Sequence, residues 1–176
     1  MKKLSRKTLT LLTASVLACN CMLCYSFSTS AAGAQKYEFE DGTPVGATIQ
    51  ENGTERWQEG ASGDKFVFLE NGGETATVNV SVESTGMYNV TIRYAAPFGD
   101  KLHNLLVNGV DQGQFSCSET AANEWADVSC GTVKLNAGEN EITVKSSWGW
   151  KPSSAICFRH LWMVWASWSL RPMHWS

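Results

Sequence analysis

Two glutamates stand two residues apart in Tyr37-Glu38-Phe39-Glu40-Asp41. On a strand, residues i and i+2 project to one face, so Glu38 and Glu40 are expected side by side, with Tyr37, Phe39 and Asp41 opposite. Like charges so placed repel unless a cation or water separates them. One reading is an exposed acidic strand edge. The sharper reading is a hard-cation site, because calcium takes several oxygen ligands, carboxylates and backbone carbonyls among them.

Other chemistries find less to work with. A nucleophilic triad needs a serine or cysteine, a histidine and an orienting acid. Between residues 35 and 150 the only histidine is His103, which precedes a strand beside Asn104 and is expected at the surface. Zinc requires clustered cysteine and histidine, and no such spacing occurs. Glycoside hydrolysis requires two carboxylates across one bond, and spacing along the chain places no pair across a cleft. No catalytic residue is assigned. The formal net charge of -3 argues against a nucleic-acid binder, and there is no glycine-rich phosphate loop.

The elements that must hold these residues are strands. In Thr75–Val82, Ala76, Val78, Val80 and Val82 alternate with Thr75, Thr77, Asn79 and Ser81. In Gly86–Ala95, Tyr88, Val90, Ile92 and Tyr94 alternate with Asn89, Thr91 and Arg93. Such alternation describes strands with one buried and one wet face. Further strands are expected at YEFE, KFVFLE, LLVNG, GQFSC, DVSCGTVKL and EITVKSS, separated by Gly- and Asn-rich turns. Many short strands without helical periodicity predict an all-β sandwich of the jelly-roll kind.

Residues 1–34 read as a secretory signal peptide: Lys2, Lys3, Arg6 and Lys7, then an apolar run, then Ala32 and Ala34 before a cut. The mature chain would begin at Gln35 and be secreted, with no membrane attachment apart from the signal. Cys19, after Val-Leu-Ala, keeps a lipid anchor open as an alternative. Cys117 and Cys130 are expected either to close a disulfide in that oxidising compartment or to stay as two buried thiols.

The ordered set YEFEDG, GASGDKFVFLENGG, TGMYNVTIRYA, LLVNG and VKLNAGENEITVKSSWGW resembles a family-35 carbohydrate-binding module, most like those attached to bacterial mannanases. The resemblance runs from about Tyr37 to Trp150, nearly the whole of the expected mature domain, residues 35–150. It implies a jelly roll that binds plant cell-wall polysaccharide, β-mannan or a related hemicellulose, and holds a partner catalytic domain on its substrate. It also implies a structural calcium held by Glu38 and Glu40. Sugar is expected at loops on one end of the sandwich, where an aromatic face stacks on a pyranose ring. Trp125 matches the family's loop tryptophan, Trp148 and Trp150 follow as second choices, and Trp57 beside Arg56 is a weaker one. Ala61 stands where many relatives place an aromatic. Uronic-acid recognition, an adhesion sandwich, and a truncated glycoside hydrolase product without its catalytic domain are the alternatives.

Residues 151–176 depart from that pattern. They contain no acid and four of the chain's eight tryptophans. Relatives place there a last strand whose aspartate also binds calcium. A divergent strand, a membrane-seeking segment and a frame-shifted tail are the three readings, and the frame shift is favoured. On that reading the sandwich lacks its native last strand, and an open core and a weakened calcium site are expected.

Overall fold

The computed structural model describes residues 34–54, 59–147 and 156–166, with the backbone alone for Cys157 and Arg159. Eleven strands follow one another: β1 Gln35–Glu38, β2 Thr43–Val45, β3 Thr48–Glu51, β4 Lys65–Leu69, β5 Thr75–Val82, β6 Gly86–Ala95, β7 Lys101–Val107, β8 Val110–Cys117, β9 Ala126–Leu135, β10 Gly138–Ser146 and β11 Ile156–Trp165. One sheet has the order β3-β4-β11-β6-β9, with β1 also paired to β11, and the other has the order β2-β5-β10-β7-β8. Every pairing between these strands is antiparallel. The two sheets bury one core, to which β5 gives Ala76, Val78, Val80 and Val82 and β6 gives Tyr88, Val90, Ile92 and Tyr94. That is the face the alternation predicts. The jelly-roll sandwich is the fold.

The short β2 and β3 carry no alternation long enough to see and were not foreseen. The tight β7–β8 hairpin was foreseeable. Asn108 and Gly109 both adopt left-handed backbone, with φ of 50° and 79°, between the paired Val107 and Val110. This is the conformation for which an Asn-Gly pair is suited.

A last strand is present, so the expectation of a core left open by its loss does not hold. β11 lies inside its sheet, paired to β6 along one edge and to both β4 and β1 along the other. Its Ile156, Phe158, Leu161 and Met163 are fully buried in the core. A β-bulge after Phe158 shifts the register, so that Phe158 lies opposite Tyr94 and His160 opposite Arg93. The extra residue changes which positions face inwards, from Phe158 to Leu161 and Met163. A strict period of two cannot be read through that break.

His103 corrects another expectation. It is 1% exposed, inside the core, with its ring centroid 5.1 Å from Phe158 and 5.7 Å from Phe115. The inward positions of β7 are Lys101, His103, Leu105 and Val107, which leaves Leu102 at the surface. Neither ring nitrogen has a hydrogen-bond partner among the described residues. Burial, helped by the Lys101 charge, depresses the pKa from 6.5 to about 4. A depressed value means that the unfolded chain takes up the proton first. Stability is therefore full above pH 6.5 and falls as pH drops towards 4, by roughly 3 kcal/mol. We expect His103→Leu to flatten this acid limb in urea midpoints measured from pH 7 to pH 4. Parallel pH profiles for the two proteins would contradict it.

Candidate functional site

The two glutamates meet at a junction in the sheet. β4 pairs with β11 over Ile156–Phe158 and β1 pairs with it over His160–Met163, so Glu38 lies at the seam, opposite His160. The expectation that Glu38 and Glu40 share one strand is corrected. β1 ends at Glu38, and Phe39–Asp41 form a 3-10 turn that drives Phe39 into the core. The turn still keeps the carboxylates close enough for the Glu38 charge to act on Glu40.

The wall of this site comes from the turn before β4. Ser62 Oγ donates to Glu38 Oε1 at 3.0 Å, and a Cβ built on Gly63 would lie 3.8 Å from Glu40 Oε1. Lys36 Nζ contacts Glu38 Oε1, and His160 Nδ1 lies 3.7 Å from Glu38 Oε2. Even so, Glu38 Oε2 and Glu40 Oε2 are buried with no hydrogen-bond donor. Burial is the main cause that pushes the Glu40 carboxyl up from 4.5 to about 7, and the neighbouring Glu38 and Asp41 charges add to it. Buried oxygens without donors are costly, and a hard cation would satisfy them. The oxygen-rich donor set of Glu38, Glu40 and Ser62 fits calcium. Among the described residues no three His, Cys, Asp or Glu converge on one metal position, so any further ligands from those residues would be carbonyls or hydroxyls. Ser62 and His160 were missed in the sequence, because contacts between residues so far apart leave no local signal.

The second cluster lies at the end of the sandwich where β6 passes to β7 and β8 to β9. Two loops there are stitched together. Thr120 N donates to Ala96 O at 3.1 Å, Ala96 N donates to Thr120 Oγ1 at 3.0 Å, and Glu119 N donates to Asp100 Oδ1 at 2.8 Å. Trp125, at the end of the second loop, is half-buried. Its Nε1 donates to Glu59 O at 2.6 Å, and its ring meets Phe66 edge-on with centroids 6.0 Å apart. Ala61, Phe66, Phe68 and Ala95 form a small separate core beneath it. Asn52 holds Ala61 from both sides, accepting from its N–H at 3.0 Å and donating to its carbonyl at 3.2 Å. Ala61 therefore serves packing. Trp57, Trp148 and Trp150 lie outside the described residues, as does nearly all of the expected signal segment. Sequence reasoning passed over Phe98, in the Pro97-Phe98-Gly99 turn of the first loop, whose side chain is 40% exposed.

Cys117 is buried and Cys130 half-buried, and both are free thiols. Burial pushes both thiols well above their ordinary range, which removes them as nucleophiles.

A jelly roll that presents an exposed aromatic side chain, Phe98, and a candidate cation site on its loops and turns has the architecture of a binding module. Comparison with known proteins gives the family. The profile for carbohydrate binding module (family 35) matches residues 35–160, and the chain belongs to that family. The match carries the family pattern past Trp150 and into β11. The chain is 39% identical over 127 residues to mannan endo-1,4-β-mannosidase B of a Piromyces species, covering 72% of this chain and 21% of that enzyme. Among solved structures, it is similar to a GH26-CBM35 β-(1,4)-mannanase of Podospora anserina, with 29% identity, a TM-score of 0.63, and 81% and 29% of the two chains covered. It shares the fold of a family-35 module from Clostridium thermocellum, with 22% identity, a TM-score of 0.67, and 77% and 100% covered. The chain spans 18% to 24% of the length of the curated mannosidases it matches.

Proposed function

We propose that this module binds β-mannan or a related hemicellulose and, in an exported parent protein, holds a catalytic domain on that polymer. The observation that carries the reading is the family match through residue 160, together with relatives named for mannan hydrolysis. Binding would use the loop end that Trp125 braces. The indole holds the 59–61 segment to the sheet through Glu59, so it shapes this end whether or not it also touches sugar.

We propose further that calcium is the resident ion at Glu38 and Glu40. When bound it would supply positive charge to the two buried oxygens, Glu38 Oε2 and Glu40 Oε2, beyond what Lys36 gives Glu38 Oε1. The chain's own groups do the rest: Ser62 orients Glu38, the Gly63 turn leaves room beside Glu40, the pairing of β1 with β11 fixes Glu38 at the seam, and the 3-10 turn that follows places Glu40.

Affinity electrophoresis in gels containing mannan, xylan or pectin tests the polysaccharide reading. Retarded migration in mannan is expected, with Trp125→Ala reducing it strongly through loss of the braced loop. Unretarded migration of the unaltered chain in all three polymers would remove the reading.

A further inference from the structure

We propose that Phe98 is a stacking platform of the sugar site, and that the carboxylates around it restrict the site to neutral hexose polymers. The inference rests on the polysaccharide reading above and names the class of sugar it takes. Phe98 is 40% exposed, yet its loop is held firmly. The Lys101 ammonium, buried beneath the turn, donates to Phe98 O at 2.7 Å and to Gly99 O at 3.0 Å. Three hydrogen bonds then tie the same loop to the one that ends at Trp125. An aromatic ring on a pre-ordered loop loses little conformational entropy on binding, and its face suits the C–H side of a pyranose.

Charge decides which pyranose. Residues 96–100 and 118–125 contain no lysine, arginine or histidine, and they place Asp100, Glu119 and Glu124 at the surface. Of the cations beside them, Lys101 is turned inwards with its ammonium committed to two carbonyls, and Arg93, on β6, is paired to Asp127 at 3.1 Å. A uronate carboxylate brought against this end meets like charge with no exposed cation in either loop, whereas a neutral hexose meets acceptors for its hydroxyls. The charge of these two loops therefore favours mannan-type chains over pectin-type chains.

Isothermal titration of the full chain with β-1,4-mannohexaose and with trigalacturonate, in calcium buffer, tests both halves. The unaltered chain is expected to bind mannohexaose and to show no heat with trigalacturonate. Phe98→Ala should weaken mannohexaose binding at least about tenfold with an unchanged melting midpoint, while Phe98→Trp, which restores an aromatic face, should stay within about threefold of the original. If Phe98→Ala binds like the unaltered chain, the platform is wrong and the polysaccharide reading stands. Equal affinity for trigalacturonate overturns the selectivity. If the unaltered chain binds neither ligand, the polysaccharide reading itself falls, and the platform with it.

Discussion

A chain stopped after Trp150 is expected to be unfolded, with a featureless near-ultraviolet spectrum and no cooperative melt. The strand lost is β11, which separates β6 from β4 and β1 in the middle of its sheet. Removing it exposes the ladder edges of three strands at once, and their backbone N–H and C=O groups then lose their partners. It also removes Ile156, Phe158, Leu161 and Met163 from the core. At roughly 1.5–3 kcal/mol for each buried side chain, the loss is on the order of 6–12 kcal/mol. A domain of this size has only about 5–15 kcal/mol to lose. Phe158→Ala is the graded version. Phe158 touches Phe39 at 5.8 Å and His103 at 5.1 Å between ring centroids, and its truncation should cost about 3–5 kcal/mol in urea denaturation. A cooperative melt from the truncated chain, at a midpoint near that of the full one, would show that β11 is dispensable.

Calcium removal should produce the next largest effect, with a magnitude that depends on pH. At pH 8 a saturating excess of calcium is expected to raise the melting midpoint by on the order of 10–20 °C, corresponding to about 4 kcal/mol at a thousandfold excess over Kd. In chelator, Glu40 works in the opposite direction. Its folded pKa of about 7 lies above the ordinary 4.5, so the folded chain holds a proton that the unfolded chain releases. The metal-free protein should therefore gain stability from this group as pH falls from 7 towards 4.5, and lose it as pH rises through 7. Calcium binds the ionised carboxylate, so its stabilising effect should shrink as the sample is taken from pH 8 to pH 5. Glu40→Gln removes the buried charge. That variant should melt in chelator at or above the midpoint of the unaltered chain at pH 8, and calcium should no longer move it. A melting midpoint of the unaltered chain that is indifferent to calcium at pH 8 would sink the metal assignment.

The residues that were readable in advance are those whose environment is written locally. β5 and β6 have the bounds their alternation predicts, because each has a core on one side, water on the other and no bulge of its own, the extra residues in the pairings of β6 lying in β9 and β11. β11 was one of three readings of the tail and not the favoured one, because its bulge breaks the period. Its buried residues fall at Phe158, then Leu161, then Met163, and a chain read in steps of two sees only an apolar, acid-free run. In β7 the alternation Lys101, His103, Leu105 against Leu102, Asn104, Leu106 fits either face. Polarity favours placing His103 outside, whereas the Leu105 and Val107 that follow take the inward face into the core and carry His103 with them.

The candidate site divides in the same way. Glu38 and Glu40 were visible as a spaced pair, although their geometry was not, since the 3-10 turn that separates them follows from burying Phe39. Ser62 and His160 reach Glu38 only through the meeting of β1 with β11 and the turn before β4. Phe98 and Trp125 are brought to one end by the hydrogen bonds between their loops.

By itself the sequence determined the all-β class, the facing of the long regular strands, the family pattern and the paired carboxylates. Each of these depends on the period of a strand or on residues close together in the chain. The tertiary structure alone decided that the tail supplies an interior strand, that a histidine lies in the core, and that a serine and a histidine flank the glutamates. Those outcomes depend on register and on which strands become neighbours, and a strand of a given pattern can satisfy its backbone against several partners. Only packing all eleven strands around one core selects among them.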